Sequence, residues 1–244
     1  MEKKLKVSLF VPVYNEEKII EKNTEQILNE ISKLPYDFEL IIVDDSSTDG
    51  SSKILERLSR TTPNLIHLQY ENGPTRRENL AQSFKKAKGE IVAFMDMDLA
   101  ANLKHFPELI KTIKQGYDIV TGSRYVKGAK TKRKLSRWVI SHLYNLFVRL
   151  YFKTKIRDHE CGFKAFKKNI IIQLVDEMGF DKTLKRGVAW DTEMLVRALR
   201  HSYTIKEIPI IWNEGKKSEL HFSRDSKLLL YLLRLKKRLK NKYI

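Results

Sequence analysis

The chain has 244 residues, with 47 lysines and arginines against 30 aspartates and glutamates, which gives a formal net charge of +17. This length suits one α/β domain with a small appendage, and the charge indicates an anionic partner: nucleic acid, membrane phospholipid or a phosphorylated substrate. A single cysteine, Cys161, excludes an internal disulfide and a multi-cysteine zinc site, which favours a reducing compartment, with the cytosol as the default.

The apolar stretches predict no membrane-inserted segment. Pro12 interrupts the stretch near the N-terminus and no small-residue cleavage site follows it, so we expect no signal peptide. No run of 18 apolar residues occurs, and the longest candidate, 228–233, ends at Arg234. Any membrane contact is therefore expected to be peripheral.

Hydrophobic periodicity predicts strands that alternate with helices along the first half of the chain. The predicted strands are 5–13, 38–43, 65–69, 91–95 and 118–121, and the predicted helices are 16–33, 50–60, 77–88 and 104–115. Such alternation implies a parallel sheet with right-handed crossovers, whose ligands bind at the carboxyl ends of the strands. Polar motifs occupy four of these ends: VPVYNEE, VDDSSTDGS, DMD and TGSRY.

Asp44 and Asp45 follow the second predicted strand. The polar residues 46–49 after them are suited to cap the next helix. One cap uses one side chain, so the second aspartate favours another role, such as accepting a hydrogen bond from the imide of a uracil or from a guanine edge. Both interpretations stay open at this point.

Asp96 and Asp98 follow the fourth predicted strand. Two carboxylates on one short loop repel each other unless a cation neutralises them, and oxygen ligands suit Mg²⁺ or Mn²⁺ shared with substrate phosphates. Such a metal stabilises a leaving pyrophosphate. A single D-x-D often marks only a solvated loop, but this one shares the predicted sheet edge with three other polar loops. The chain contains neither a glycine-rich dinucleotide motif nor a P-loop.

These motifs in this order resemble those of inverting family 2 glycosyltransferases of the GT-A fold. DHECGFKAFKK (158–168) and AWDTEML (189–195) resemble the polyprenyl-phosphate branch, which includes dolichyl-phosphate mannosyl- and glucosyltransferases. The similarity runs from about residue 6 to 215. It implies a mostly parallel Rossmann-like sheet with helices on both faces.

The resemblance implies a role for each motif residue. Asp96 and Asp98 would hold the metal, Mg²⁺ or Mn²⁺, and together with Arg124 would be the catalytic residues. The acceptor phosphate would be bound by Arg124, Arg137 and Ser141. The nucleotide sugar would be bound by Pro12, Tyr14, Glu16, Val43, Asp45, Arg76 and Asp96.

Three departures from the family pattern affect these assignments. Ala100 replaces the glutamine that often joins the metal shell in the mannosyl branch, which favours a UDP-sugar donor of the glucose type over GDP-mannose. ENGPTRREN (71–79) replaces the usual Asn-x-Gly-Lys-Gly loop, with Arg76 standing in for the phosphate-binding lysine. The usual Ser-Lys pair is Ser218-Glu219, so that charge would come from Lys216, Lys217, His221 or Arg224.

A phosphate acceptor is already ionised at pH 7 and needs cations, whereas a hydroxyl acceptor needs a general base. Arg137 and Ser141 are four residues apart and so share a helix face, in agreement with a phosphate acceptor. Asp191 lies at a predicted helix start, where it is either structural or catalytic.

The segment 136–154 predicts an amphipathic helix that is either a core helix or an interfacial one. Its apolar arc comprises Val139, Ile140, Leu143, Tyr144, Leu146, Phe147, Leu150 and Tyr151. The C-terminal segment carries basic residues that suit an anionic leaflet or a solvated helix end: Lys236, Lys237, Arg238, Lys240 and Lys242.

The resulting expectation is a GT-A domain at 1–215, including the amphipathic helix, and a basic C-terminal segment at 216–244. We expect transfer of a sugar from a nucleotide sugar to dolichyl or polyprenyl phosphate at the cytoplasmic membrane face, with peripheral contact and a possible separate anchoring subunit. The alternatives are a hydroxyl acceptor of a glycan and, remotely, a nucleic-acid-binding protein, for which the chain lacks a recognisable motif.

Overall fold

The strands predicted from periodicity are present in the computed structural model, which describes residues 5–183, 186–187, 189–214 and 222–242. The strands are β1 (Lys6–Val13), β2 (Asp37–Asp45), β3 (Leu65–Tyr70), β4 (Ile91–Met95), β5 (Ile119–Ser123), β6 (Lys130–Lys132), β7 (Phe163–Lys167), β8 (Ile205–Pro209) and β9 (Ile211–Asn213). The predicted strand at 91–95 coincides with β4, and the other four predictions lie within two residues of the observed bounds.

The helices alternate with these strands. They are α1 (Ile20–Ser32), α2 (Ser51–Thr61), α3 (Glu78–Ser83), α4 (Phe106–Lys114), α5 (Leu135–Phe152), α6 (Lys168–Met178), α7 (Ala189–Arg200) and α8 (Phe222–Lys242). Two predicted helices are shorter than expected because one end of each winds as a 3₁₀ turn, at Phe84–Lys86 after α3 and at Leu103–His105 before α4. Helix α1 begins four residues late, since the N–H groups of Ile19 and Ile20 both donate to the carbonyl of Glu16 in a turn.

Within the described ranges the main sheet has seven strands in the order β3-β2-β1-β4-β7-β5-β8. β1 pairs in parallel with β2 and β4, β2 with β3, and β5 with β8, as strand–helix alternation predicts. A second, two-stranded parallel sheet joins β6 to β9. The carboxyl ends of β1, β2 and β4 therefore meet at one edge.

Strand β7 is the main departure from the predicted order, because it lies antiparallel between β4 and β5. Phe163, at its start, is in register with Met95, at the end of β4. An antiparallel strand enters the sheet at the edge where its parallel neighbours leave it. The residues before Phe163 are thus delivered to the same edge as Asp96.

Apolar residues cover both faces of the sheet, as the burial of parallel sheets requires. On one face, Phe84, Phe94 and Phe166 stack with ring centroids 6.0 to 6.4 Å apart, and Trp190 of α7 packs edge-on against Phe84. Each aromatic pair adds roughly 0.5–1.5 kcal/mol beyond its area burial. This aromatic cluster fixes α7 against the end of β4, beside the polar edge.

Helix α5 divides its apolar arc between two environments. Tyr144 and Phe147 pack against a small core that α5 forms with α7 and α8, where Leu235 and Leu239 are fully buried. Val148 is buried in the same core, and Phe152 packs against it. Seven other large apolar side chains of α5 are exposed: Leu135, Trp138, Val139, Ile140, Leu143, Leu146 and Leu150. The described helices include none with the length and apolarity needed to cross a bilayer.

Candidate active site

A cleft of about 290 Å³ lies at the carboxyl ends of β1, β2 and β4. It is lined by Pro12, Val13, Tyr14, Glu16, Asp45, Pro74, Arg76, Asp96, Met97 and Asp98. Six of the seven residues expected to bind a nucleotide sugar are among them. The seventh, Val43, is fully buried in β2, where it is in register with Pro12. The strand ends and the sheet order bring this set together from parts of the chain up to 86 positions apart.

The adjacent aspartates after β2 have different partners. Asp44 accepts a hydrogen bond from the Ser47 N–H at 2.8 Å and so closes its own turn. Asp45 is buried and accepts four hydrogen bonds from the 72–79 loop: from the N–H and hydroxyl of Thr75, the N–H of Arg76 and the side-chain amide of Asn79, at 2.7 to 2.9 Å. Asp45 thereby holds the loop that carries Arg76 against the cleft.

Arg76 has a φ of +66°, in the left-handed region that costs a non-glycine residue roughly 1–2 kcal/mol. The bond from its N–H to Asp45 helps to maintain this conformation. A residue with a left-handed backbone conformation changes the direction of the chain, so the side chains of Arg76 and Arg77 can point in different directions. Arg76 lines the cleft, whereas Arg77 extends behind it toward β4 and α7.

Asp96 directly follows β4, and contact with Gly162 restricts the position of its carboxylate. The Asp96 N–H donates to the Gly162 carbonyl at 3.1 Å, and a Cβ atom placed on Gly162 would lie 1.8 Å from Asp96 Oδ2. A glycine is therefore required at position 162 for this placement of the carboxylate. The motif DHECGFK thus includes a residue whose role is steric.

Asp98 lies in an unfavourable electrostatic position. Burial first, then the charges of Asp96 and Glu16, raise the pKa of Asp98 above its ordinary value, although a hydrogen bond from the Ala100 N–H opposes this rise. A divalent cation would relieve the repulsion, and an all-carboxylate donor set suits Mg²⁺ or Mn²⁺. In the described part of the chain no three His, Cys, Asp or Glu side chains converge as a metal site. A metal here would take its other ligands from substrate phosphate or water.

Arg77 is a site residue that the sequence analysis missed. Its Nη1 donates to Asp96 Oδ1 at 2.9 Å, and its Nε donates to Asp191 Oδ2 at 3.2 Å. The guanidinium carbon lies 5.0 Å from the centre of the Phe94 ring. The two adjacent arginines of ENGPTRREN are the available signal, but nothing in the sequence says which of them faces the cleft.

Asp191, at the start of α7, has both carboxylate oxygens in ion pairs. Lys164 Nζ donates to Oδ1 at 2.7 Å and Arg77 donates to Oδ2, while only 4% of the Asp191 side chain is exposed. Lys164 is itself fully buried within β7 and also donates to the Cys161 carbonyl. Both oxygens of Asp191 are thus already engaged by cations, which favours a positioning role over a proton-accepting one.

Arg124, which the sequence analysis expected to bind the acceptor phosphate, lies at the end of β5 and is engaged by Asp158. Its Nε and Nη2 donate to the two carboxylate oxygens at 2.7 Å, and its backbone N–H donates at 2.9 Å. Burial alone would raise the pKa of Asp158, but the charge and hydrogen bonds of Arg124 hold it below its ordinary value. The guanidinium also lies over the rings of Tyr125 and Trp212, at 5.3 and 5.4 Å from their centres.

Arg137 and Ser141 lie on α5 but have different neighbours. Arg137 Nη1 donates to Glu214 Oε1 at 2.7 Å. The Ser141 hydroxyl instead accepts from Tyr125 at 2.8 Å and from Arg133 Nη1 at 2.9 Å. Arg133, which the sequence analysis did not single out, also lies 3.5 Å from Glu214 and over Trp212. In the basic run TKRK (131–134), nothing in the sequence distinguishes Arg133 from the neighbouring lysines.

The segment 158–164 connects the two sides of the site. Asp158 pairs with Arg124, Gly162 contacts Asp96, and Lys164 pairs with Asp191. Between them, burial raises the pKa of Glu160 to about 7, although the nearby charge of Arg124 opposes this rise. The expected replacements for the Ser-Lys lysine, including Lys216, Lys217 and His221, lie outside the described residues, as do the Ser218-Glu219 pair and the side chain of Arg224.

A family profile, curated proteins and solved structures all match this chain. The profile of the family described as Glycosyl transferase family 2 matches residues 8–175. Glycosyltransferase AglD of Haloferax volcanii is 35% identical over 225 residues, which are 91% of this chain and 35% of that protein. Dolichyl-phosphate beta-glucosyltransferase ALG5A of Trichomonas vaginalis is 29% identical over 239 residues, 94% of this chain and 72% of that protein.

The chain spans about a third of AglD and about half of an undecaprenyl-phosphate 4-deoxy-4-formamido-L-arabinose transferase of Proteus mirabilis. Among solved structures, the mannosyltransferase PcManGT from Pyrobaculum calidifontis, in complex with GDP-Man and Mn²⁺, aligns with a TM-score of 0.64 at 21% identity. That alignment covers 99% of this chain and 66% of the other. At this identity the likeness concerns the fold.

Proposed function

The chain belongs to glycosyltransferase family 2, and on that premise we propose that it transfers a sugar from a nucleotide-diphosphate sugar to a polyprenyl phosphate, with inversion. The GT-A fold and the resemblance to the polyprenyl-phosphate branch, both expected from the motifs, are confirmed. The observation that carries the proposal is the pairing of a carboxylate-lined cleft at the ends of β1, β2 and β4 with an arginine cluster at the ends of β5 and α5.

The cleft would bind the donor. Pro12, Tyr14 and Asp45 would flank the base and ribose, while Arg76 would lie beside the diphosphate. Asp96 and Asp98 would hold Mg²⁺ or Mn²⁺, which when bound neutralises the charge that develops on the leaving diphosphate. Asp45 keeps the Arg76 loop closed over the site through its four hydrogen bonds.

The arginine cluster would orient the acceptor. Arg133 and Arg137 both approach Glu214, so these three side chains carry a net charge of +1 that suits a phosphate monoester. Arg124, which is neutralised by Asp158, would contribute by positioning Tyr125 and Trp212 as well as by any direct contact. The acceptor arrives ionised, so no side chain has to remove its proton.

A UDP-sugar of the glucose type is the proposed donor. Ala100 is a buried alanine whose N–H donates to Asp98, and its side chain offers no ligand for a metal. ALG5A, a relative that aligns over 94% of this chain, is named a dolichyl-phosphate beta-glucosyltransferase, which supports this donor class.

Peripheral contact with the cytoplasmic face of a membrane would bring the enzyme to its acceptor. The exposed apolar side chains of α5 follow Arg133 and Arg137 directly, so a lipid docked on them could present its phosphate to the arginines. The exposed Lys237 and Arg238 of α8 add positive charge suited to anionic headgroups. A separate membrane-anchoring subunit is compatible with this arrangement, and no nucleic-acid partner is proposed.

A glycan hydroxyl is the second candidate acceptor, and Glu160 is the observation that favours it. A carboxyl with a pKa of about 7, close to Arg124 and Asp191, is suited to act as a general base. Asp191 is less suited, because both of its oxygens are paired.

One experiment separates these functions. The protein is incubated with a panel of UDP- and GDP-sugars, Mg²⁺ or Mn²⁺, and either polyprenyl phosphate or the dephosphorylated polyprenol. The proposal expects labelled lipid from a UDP-sugar and polyprenyl phosphate, and little product from the alcohol. Transfer to hydroxyl acceptors without lipid phosphate would instead establish the second candidate.

A further inference from the structure

Arg77 brings a fixed positive charge to the carboxylates that would bind the metal. Its Nη1 lies 2.9 Å from Asp96 Oδ1, and only 16% of its side chain is exposed. The Phe94 ring below it and the ion pair with Asp191 hold the guanidinium in place. Because two carboxylates and an aromatic ring restrain the guanidinium of Arg77, a change of one side-chain rotamer would not move it away from Asp96.

The charges around Arg77 come from four elements. Asp96 and Asp98 follow β4, Glu16 follows β1, Asp191 begins α7 and Lys164 lies in β7. Lys164 neutralises one oxygen of Asp191, so Arg77 is shared between the other oxygen and Asp96. Arg76 lines the cleft from the same loop, while Arg77 is absent from the cleft lining. Arg77 is thus placed as a counter-ion of Asp96 rather than as a wall of the donor pocket.

We propose that Arg77 competes with the divalent metal for Asp96, so that the protein alone binds the metal weakly and binds it tightly once a nucleoside diphosphate adds its own negative charge. This inference rests on the metal site of the proposed function. A cation hydrogen-bonded to a ligand oxygen lies within about 5 Å of a metal at that oxygen, since metal–oxygen distances are about 2.0–2.2 Å. At that separation the repulsion between the two cations is large even at an effective dielectric constant of about 20.

The arrangement has a functional consequence for the order of binding. A metal held weakly by the protein alone would enter together with the nucleotide diphosphate, whose oxygens supply the missing ligands. Arg77 would also keep the Asp96 carboxylate oriented through its bond to Oδ1. It is therefore a positioning residue that sets metal affinity, and its removal should tighten metal binding while impairing transfer.

The test is a titration with Mn²⁺ alone, followed by electron paramagnetic resonance, on wild type, Arg77→Met and Arg77→Lys. Arg77→Met should bind Mn²⁺ about tenfold more tightly than wild type, because it removes the charge and keeps the side-chain volume. Arg77→Lys keeps the charge and should stay within about twofold. Arg60→Met, at an exposed position near the end of α2, makes the same change in net charge and should have no effect. Repeating the titration with UDP present should shrink the difference between Arg77→Met and wild type.

Unchanged or weaker Mn²⁺ binding by Arg77→Met overturns the inference, since a purely structural ion pair predicts no tightening. Thermal unfolding checks that each variant is folded, and Arg77→Gln, which retains a hydrogen-bond donor for Asp96, gives a second neutral substitution that must also tighten binding. If wild type binds Mn²⁺ and Arg77→Met tightens it but no lipid is labelled with any sugar, the lipid-phosphate function fails and the inference stands. If no protein binds Mn²⁺ even with UDP, the metal site and the inference both fail.

Discussion

The cleft at the ends of β1, β2 and β4 concentrates carboxylates, whereas the cluster of Arg124, Arg133 and Arg137 consists of arginines that already contact carboxylates. Asp96, Asp98 and Glu16 lie close enough together to raise the pKa of Asp98, with burial as the largest cause. On the other side, Arg124 is paired with Asp158, and Arg137 with Glu214. A cation from outside would therefore stabilise ionised Asp98, although Arg77 already pairs with Asp96, whereas Arg124 and Arg137 are paired with carboxylates before any ligand binds.

The difference predicts that the two sides respond differently to substitution. Removing the charge of Asp98 should change metal and donor binding with little loss of stability, because burial and the neighbouring carboxylates disfavour its ionised form. Removing Arg124 leaves the buried Asp158 unpaired, so stability and activity should fall together.

The largest expected effect is at the metal site. Asp98→Asn should lower transfer by about 10³-fold or more, because the leaving diphosphate loses its charge stabilisation. Chelation with EDTA should do the same to wild type, and added Mg²⁺ or Mn²⁺ should restore it. Asp37→Asn, at the opposite end of β2, is the matched control and should be fully active. Undiminished transfer in EDTA would contradict the metal assignment.

The next effect is steric. Gly162→Ala should lower transfer by about 10²-fold, because a methyl group 1.8 Å from Asp96 Oδ2 must displace that carboxylate. It should also lower the free energy of unfolding by about 1–3 kcal/mol through overpacking. Gly116→Ala, whose added methyl group would meet open space at a φ of +111°, should lower stability but leave the turnover of the folded enzyme unchanged. Equal turnover for both variants would show that Asp96 tolerates displacement.

How far the sequence predicts this site depends on which contact is considered. The cleft was predictable because parallel strands place their carboxyl-end loops together, so the three motifs after β1, β2 and β4 had to meet. Gly162 and Lys164 belonged to a quoted motif, but their positions beside Asp96 and Asp191 depend on β7 entering the sheet antiparallel. Periodicity gave no indication of that direction.

The counter-ions were not predictable. Asp158 is 34 positions from Arg124 and Glu214 is 77 positions from Arg137, so no local pattern joins them. Arg77 illustrates the same limit, because the positive φ of Arg76 and the bond to Asp45 decide which of two adjacent arginines faces the cleft. Tertiary contacts decide which arginine faces the cleft, and residue type and spacing along the chain do not reveal those contacts.

The third prediction tests whether the arginines proposed to bind the acceptor are equivalent. Arg137→Ala should raise the KM for polyprenyl phosphate and lower kcat, with transfer slowed roughly tenfold to a hundredfold and donor affinity unchanged. Arg124→Ala should in addition destabilise the fold by about 3–5 kcal/mol, because it strands the buried Asp158. If Arg137→Ala and Arg124→Ala both leave transfer by the folded enzyme unchanged, the hydroxyl-acceptor alternative becomes the better account.

The fourth prediction concerns the membrane. Truncating the basic tail would remove Leu235 and Leu239 from the core shared by α5, α7 and α8, so charge-neutral substitutions are the cleaner test. Lys237→Gln with Arg238→Gln should weaken binding to anionic vesicles by about thirtyfold at low salt, at roughly 1 kcal/mol per charge. Leu143→Gln on α5 should weaken it even in neutral vesicles. Vesicle binding unaffected by all three substitutions would contradict the proposed contact.

The smallest effect concerns Glu160, which lies between the two sides. Its pKa is about 7 in the fold against an ordinary value of 4.5, so between these pH values the folded state binds more protons than the unfolded state. The contribution of protonated Glu160 to the free energy of unfolding is therefore fully present below about pH 4.5 and is lost as the pH rises through about 7. Urea unfolding of wild type and Glu160→Gln across pH 5–8 should show wild type losing about 1–3 kcal/mol relative to the variant.

The other titrating groups contribute equally to wild type and variant, so they cancel in the difference between the two unfolding free energies. As a control, the difference between wild type and Glu25→Gln, at an exposed position on α1, should not change with pH. If the difference in unfolding free energy between wild type and Glu160→Gln also stays constant from pH 5 to 8, Glu160 is ionised throughout that range. The same variant then decides between the acceptors. A general base is worth about 10²–10⁴ in rate, so a comparable loss of transfer in Glu160→Gln would favour a hydroxyl acceptor. An ionised phosphate needs no base, and the variant should then keep transfer to polyprenyl phosphate within a few-fold of wild type while its stability no longer falls with pH.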